Sequence, residues 1–186
     1  VTTILRLRTI LIAVSFTFFV SNAYSQDSLT DYPVYYVDQG AINIDGNISS
    51  DEWKNTQLIE SAFHFPWRSE KAPSTKFKAA WNEDGFYFSF DVTDNNIVLA
   101  DGDKGEKSVD HSDRVEIFLD PTPTDQQKPT LANYYGLEMA PNNVIHEYSA
   151  QLYRKFNSDW SLDNAHYETQ INDNGYMVEG FIPTNS

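Results

Sequence analysis

The run Asp113-Arg114-Val115-Glu116-Ile117-Phe118-Leu119 sets two carboxylates three positions apart in a stretch whose apolar residues alternate. Side chains of a strand alternate between its two faces, so Asp113 and Glu116 point to opposite sides and one ligand can use only one of them. With Val115, Ile117 and Leu119 turned into a core, Glu116 shares the outer side with Arg114 and Phe118. Asp113 then turns inward at the strand start, where backbone amides are its natural partners. A cross-strand lysine or arginine is the competing role for Glu116. Carboxylates beside exposed aromatic rings suit a polyhydroxylated ligand, because rings stack on its C–H faces while carboxylates accept its hydroxyls. Trp67, in Pro66-Trp67-Arg68, and Trp160, in Ser158-Asp159-Trp160-Ser161, lie in polar surroundings and supply the candidate platforms. Trp53 and Trp81 sit at periodic positions and are expected in the core.

A second set is acidic. Asp91, Asp94, Asp101 and Asp103 surround one long loop, and calcium takes six to eight oxygens from such a set. Their spacing matches no EF-hand loop, and a solvated acidic loop is the alternative reading. The four histidines, His64, His111, His146 and His166, are widely separated, without the close partner a zinc site needs. No nucleophile and base stand in a catalytic motif, and 27 acidic residues make any pair of carboxylates uninformative about glycoside hydrolysis.

The elements that position these groups follow from composition and pattern. A chain of 186 residues fits one packed domain. Residues 1–25 carry Arg6 and Arg8 as their only charges, an apolar run from Thr9 to Val20, and Ala23-Tyr24-Ser25. This is the pattern of a signal peptide cleaved between Ser25 and Gln26, since the apolar run is too short to span a bilayer. The expectation is a secreted or periplasmic protein with no membrane insertion after cleavage, residues 26–33 forming a linker and 34–186 the domain. The formal net charge of −14 becomes more negative once the two arginines leave, and such a surface repels nucleic acid and anionic membranes. With no cysteine, neither disulfides nor a lipidated N-terminus are available.

Strand patterns dominate. Val34–Val37 and Ala41–Ile44 are brief apolar runs, followed by a turn at Asp45-Gly46-Asn47. Ser49 with Glu52 forms a capping-box signature for one short helix near residues 50–57. Phe77, Ala79 and Trp81 alternate, Asn82-Glu83-Asp84-Gly85 turns, and Phe86, Phe88, Phe90 and Val92 share a face, which predicts a hairpin. Further strands are expected at 114–119, 133–140, 144–149, 151–156, 166–171 and 176–182, with a loop at 95–110. Regularly spaced short strands with one helix predict an all-β antiparallel sandwich. The chain stops just after Ile182-Pro183, and the expectation is that the last strands of the fold lie beyond it.

Taken in order, Ile44-Asp45-Gly46 with Glu52-Trp53, Ala80-Trp81-Asn82 before Phe86-Tyr87-Phe88, Val92-Thr93-Asp94, Asp113 to Asp120, Tyr134 to Glu138, and Gly175 to Pro183 resemble the carbohydrate-binding module family 9-like domains. The resemblance runs from about residue 34 to residue 183. It implies a jelly-roll-like β-sandwich of xylan- and cellulose-degrading systems, binding polysaccharide or oligosaccharide, with calcium in characterised members. Glu116 matches a carboxylate that hydrogen-bonds sugar in such members, Asp113 maps onto the same motif, and Glu138 joins them as a candidate contact. Those members clamp the sugar between two tryptophans. Here the first position reads Val109-Asp110-His111, and the second lies beyond Ser186.

The resulting expectation is a non-catalytic, exported glycan-binding module that serves polysaccharide degradation, alone or attached to a glycoside hydrolase. Two other readings stand beside it. One is a haem-binding electron-transfer sandwich using Met139 and His146, although Met139 and Met177 both read as packing residues. The other is a structural or adhesion domain without a small ligand.

Overall fold

The structure is a computed structural model and describes residues 32–60, 63, 65, 69–100, 106–121, 133–151 and 155–185. Ten strands follow in chain order: β1 (Tyr35–Tyr36), β2 (Ile59–Glu60), β3 (Ser74–Trp81), β4 (Gly85–Thr93), β5 (Val115–Leu119), β6 (Asn133–Met139), β7 (Ile145–Gln151), β8 (Lys155–Asn157), β9 (His166–Asn172) and β10 (Gly175–Pro183). One sheet runs β1-β3-β4-β10-β9, with β2 also paired to β3, and the other runs β5-β6-β7-β8. Every pairing is antiparallel except β1 with β3.

The alternation in the sequence explains the layers. Ala79, Phe88, Phe90, Val92, Tyr176, Val178 and Ile182 from the six-stranded sheet meet Val115, Leu137 and Met139 from the four-stranded sheet in one buried cluster. The hairpin of β3 and β4 closes as its residues predict. Asn82 accepts the amides of Asp84 and Gly85 on Oδ1, while its own amide donates to the Gly85 carbonyl at 3.0 Å. Strand β10 lies between β4, the middle strand of its sheet, and the edge strand β9.

A strap covers the outer side of the six-stranded sheet. Val37, Ile42 and Trp53 pack there against Ala80 and Tyr87, with Ile44, Ile48 and Phe181 at the margins. Glu179 fastens this strap. It is fully buried, accepts Trp53 Nε1 at 2.8 Å on Oε1, and accepts the Gly46 and Asp45 amides at 3.0 and 3.2 Å on Oε2. Gly46 takes φ of 80°, which lets the turn aim both amides at the acid. Burial pushes the Glu179 carboxyl above its ordinary pKa, against the downward pull of these three donors.

Four expectations are corrected here. The helix near 50–57 is only a set of turns. The capping box does form, with Ser49 Oγ donating to Glu52 at 2.7 Å and accepting the Glu52 amide at 3.3 Å. The turns go no further because the Trp53 carbonyl accepts Thr56 Oγ1 and Lys78 Nζ, a side-chain substitute for the helical ladder. Residues 41–44 form no strand; Ile42 and Ile44 serve the strap instead. The stretch expected to be all loop contains a 3-10 helix at Glu106–His111. Trp81 is not in the core: it faces inward but at the end of β3, past the packed cluster, and is 47 % exposed with its ring edge-on to Tyr36 at 5.3 Å.

Candidate binding face

The four-stranded sheet has one side in the core and the other turned outward, and strand parity decides which residues reach each. Val115, Leu137 and Met139 are buried in the core. The opposite parity therefore carries three cross-strand rows outward: Glu116, Glu138 and His146; Phe118, Gly136 and Tyr148; Tyr134, Ala150 and Phe156.

The first row is polar and tightly bonded. Arg114 Nε donates to Glu116 Oε1 at 2.6 Å, and Nη1 donates to the Val109 carbonyl at 3.2 Å. Asp110 lies 3.9 Å from the same guanidinium. Burial disfavours the Arg114 charge, but contact with Glu116 and the fields of Glu138 and Asp110 outweigh it, leaving its pKa above the ordinary value. Glu138 is buried and sits 3.2 Å from His146 Nδ1. Burial raises the Glu138 pKa, while the His146 hydrogen bond and the Arg114 charge pull it back in part. His146 Nε2 is buried with no hydrogen-bond partner among the described residues.

The other two rows are aromatic. Phe118 and Phe156 are 55 % and 54 % exposed. Each has an edge-on tyrosine beside it: Tyr134 at 5.9 Å from Phe118, and Tyr148 at 5.4 Å from Phe156. Gly136 lies under Tyr148, so a Cβ there would come 2.2 Å from Tyr148 Cζ. The glycine lets that ring lie down on the sheet between the two phenylalanines. Exposed rings beside the partly exposed Glu116, with the buried Glu138 next to it, put stacking and hydroxyl acceptance within reach of one ligand.

The structure brings Glu116 and Glu138 together on this face and places the other candidates elsewhere. Asp113 turns inward as its spacing predicts and accepts the Val98 amide on Oδ2 at 2.6 Å, so its role is to tie the loop after β4 to the start of β5. Trp160 stacks on Tyr135 at 4.5 Å and 32°. Tyr135 shares the parity of Leu137 and Met139, so Trp160 stands on the opposite side of the sheet from Glu116. Trp67, Asp101 and Asp103 lie outside the described residues. Asp91 pairs with Lys76 at 3.4 Å, and Asp94 accepts the Asn96 amide at 2.8 Å; these two do not join in one cage. Among the described residues no three histidine or acidic side chains gather as a metal site. Val109, at the first clamp position, is fully buried. Met139 and His146 point to opposite faces of the same sheet, so one iron cannot take both.

Sequence reasoning missed the two exposed phenylalanines. Phe118 carried a signal, because it shares the parity of Glu116 on the same strand. Phe156 carried none, since its face depends on pairing with β7. Elsewhere, Trp81, Phe86 and Ile182 line an apolar cleft of about 410 Å³ at the end of the six-stranded sheet, together with Val34 and Pro183.

Fold and surface together define a β-sandwich binding domain. The family model described as carbohydrate family 9 binding domain-like matches residues 44–186, and the chain belongs to that family. The family is one of binding domains, so the role of this chain is binding rather than catalysis. Two solved structures share its fold. A carbohydrate binding module family 9 from Caldicellulosiruptor kristjanssonii in complex with cellotriose aligns with TM-score 0.54 at 20 % identity, covering 82 % of this chain and 67 % of that one. A carbohydrate binding module family 9 from the same organism in complex with glucose aligns with TM-score 0.53 at 21 % identity, covering 81 % and 69 %. No curated protein matches the chain.

Proposed function

We propose that this chain is an exported, non-catalytic module that binds a neutral cellulose- or xylan-type glycan on the outer face of its four-stranded sheet. The observation that carries the reading is the adjacency of Glu116 and Glu138 to the exposed rings of Phe118 and Phe156 on that face. The family supports carbohydrate as the ligand class, and the similar proteins solved with cellotriose and glucose support a glucan. Carboxylates held as acceptors favour hydroxyl-rich neutral sugars and oppose uronates, whose charge they repel. Export rests on the signal-like residues 1–25. A partnership with polysaccharide-degrading enzymes follows from what such binding is useful for.

Affinity electrophoresis in gels containing hydroxyethylcellulose or soluble xylan tests the reading. Retardation is expected for the wild type and loss of most of it for Glu116→Ala. Migration unchanged by every glycan, with calcium present, overturns it.

A further inference from the structure

Among the described residues an aspartate or asparagine precedes a glycine at Asp45-Gly46, Asp84-Gly85 and Asn174-Gly175. A glycine carries no Cβ to shield its amide nitrogen, which can therefore close on the side-chain carbonyl carbon before it. The first two steps are held shut. Gly46 donates its amide to Glu179 at 3.0 Å, while the Asp45 oxygens accept the Asn47 amide at 2.9 Å and Asn43 Nδ2 at 3.0 Å. Gly85 donates its amide to Asn82 Oδ1 at 3.2 Å. Asn174-Gly175, the one Asn-Gly step of the sequence, is built differently. Asn174 is exposed in the turn between β9 and β10, and its side chain has no hydrogen-bond partner among the described residues. Its main chain does the holding: the amide donates to Asn172 Oδ1 at 2.8 Å, and the carbonyl accepts the Asp94 amide at 2.9 Å. Gly175 forms the terminal pair of β9 with β10, opposite Asn172, and the smallest local opening of that ladder frees it. The fold also demands glycine at 175, since a Cβ there would come 1.9 Å from the Val92 carbonyl oxygen.

We propose that Asn174 is a site of spontaneous covalent modification that loosens β10 as the protein ages. The Gly175 amide nitrogen bonds to Asn174 Cγ, the Cγ–Nδ2 bond breaks, and the side-chain nitrogen leaves as ammonia with the proton that the Gly175 amide gives up. The product is a succinimide. Water then opens the ring at either carbonyl, giving aspartate or, with the main chain rerouted through Cγ, isoaspartate. Isoaspartate adds a carbon to the main chain at the turn that sets the register of β10 against both β4 and β9, and it displaces the carbonyl that holds Asp94. Tyr176 and Val178 of the core and Glu179 of the strap network follow on the same strand, so the disturbance reaches both.

Peptide mass mapping of the full chain, kept folded at mildly alkaline pH and sampled over days, tests the proposal, with isoaspartate detected by enzymatic methylation. Conversion of amide to acid is expected at Asn174 before any other asparagine, with isoaspartate as the main product and a urea midpoint that falls as it accumulates. Asn174→Gln, whose longer side chain closes its ring far more slowly, is expected to age without that fall. Freshly purified Asn174→Asp, which has the new charge and no added carbon, is expected to unfold at the wild-type midpoint. An Asn174 that stays intact, or that reacts no faster than the other asparagines, overturns the site. Conversion that leaves the urea midpoint unchanged overturns its effect on β10.

Discussion

Replacing Glu179 with alanine removes the acceptor that holds the strap to the six-stranded sheet. Two donors that are buried with it, Trp53 Nε1 and the Gly46 amide, lose the oxygens they meet at 2.8 and 3.0 Å. Each orphaned buried donor costs about 1–3 kcal/mol. The emptied space adds about 1 kcal/mol of lost packing, since the side chain is fully buried. The sum centres near 5 kcal/mol, and for a domain of this size it corresponds to a fall in Tm of about 15 °C. Glu179→Gln keeps the shape and one acceptor oxygen but turns an N–H toward the remaining donors, so about half that loss is expected. The sign of the pH dependence separates charge from shape. Because burial raises the Glu179 pKa in the folded state, the folded protein holds the proton more tightly than the unfolded chain does. Its stability is therefore highest below the ordinary carboxylate range and falls as pH rises through the raised value. Glutamine has no proton to lose, so the gap between wild type and Glu179→Gln is wider in acid than at neutrality. Urea unfolding followed by tryptophan fluorescence at several pH values measures all of this. A Glu179→Ala variant within 1 kcal/mol of wild type refutes the role assigned to the network.

Other outcomes follow from the same structure. Gly136→Ala places a Cβ 2.2 Å from Tyr148 Cζ, so it is expected to lower stability by about 1–3 kcal/mol and to weaken glycan binding by lifting that ring, read by thermal shift and titration. Trp53→Ala is expected to cost about 3–5 kcal/mol and Trp81→Ala less than about 1, because the first ring is fully buried and the second half exposed; parallel denaturation curves compare them. Glu138, whose pKa burial raises, acts in opposite directions on fold and site. Stability at this group falls as pH rises through its folded pKa, whereas protonation costs the site an acceptor, so glycan affinity is expected to drop on acidification at values above the usual carboxylate range. A flat pH profile of affinity in Glu138→Gln checks this assignment.

How much could be read from the residues varies with how local the deciding physics is. The hairpin of β3 and β4 and the outward placement of Glu116 were legible, because period-two alternation and an Asn-Glu-Asp-Gly turn act within a few residues. Trp81 shows the limit of that signal. Alternation tells which way a side chain faces but not how far along the strand the core extends, and the ring lies beyond its end. The turns at 50–55 show another limit: their cap is written in Ser49 and Glu52, but the competitor for the Trp53 carbonyl is Lys78, a residue 25 positions away. Trp160 was legible as a partly exposed ring and not as one on the wrong side of the sheet, since its place is read from the contact with Tyr135. The proposed binding face was half legible. Its carboxylates announced themselves by motif, while its rings depend on the order in which four strands pair.

The position of β10 between β4 and β9 has a consequence in time. Strand β4 pairs with β3 through a short turn, yet its other edge waits for residues 175–183, where the register joins residues 82 apart at Thr93 and Gly175 and 98 apart at Gly85 and Pro183. Contacts of such sequence separation close slowly, because loop entropy is spent before they form. Until β10 arrives, β9 lacks its partner strand, Glu179 cannot capture Trp53, and the core lacks Tyr176, Val178 and Ile182. A nascent chain therefore leaves this sheet incomplete until residues 175–183 have been made. That delay suits a protein proposed to cross a membrane unfolded, and it places mutations in β10 among those expected to slow folding most.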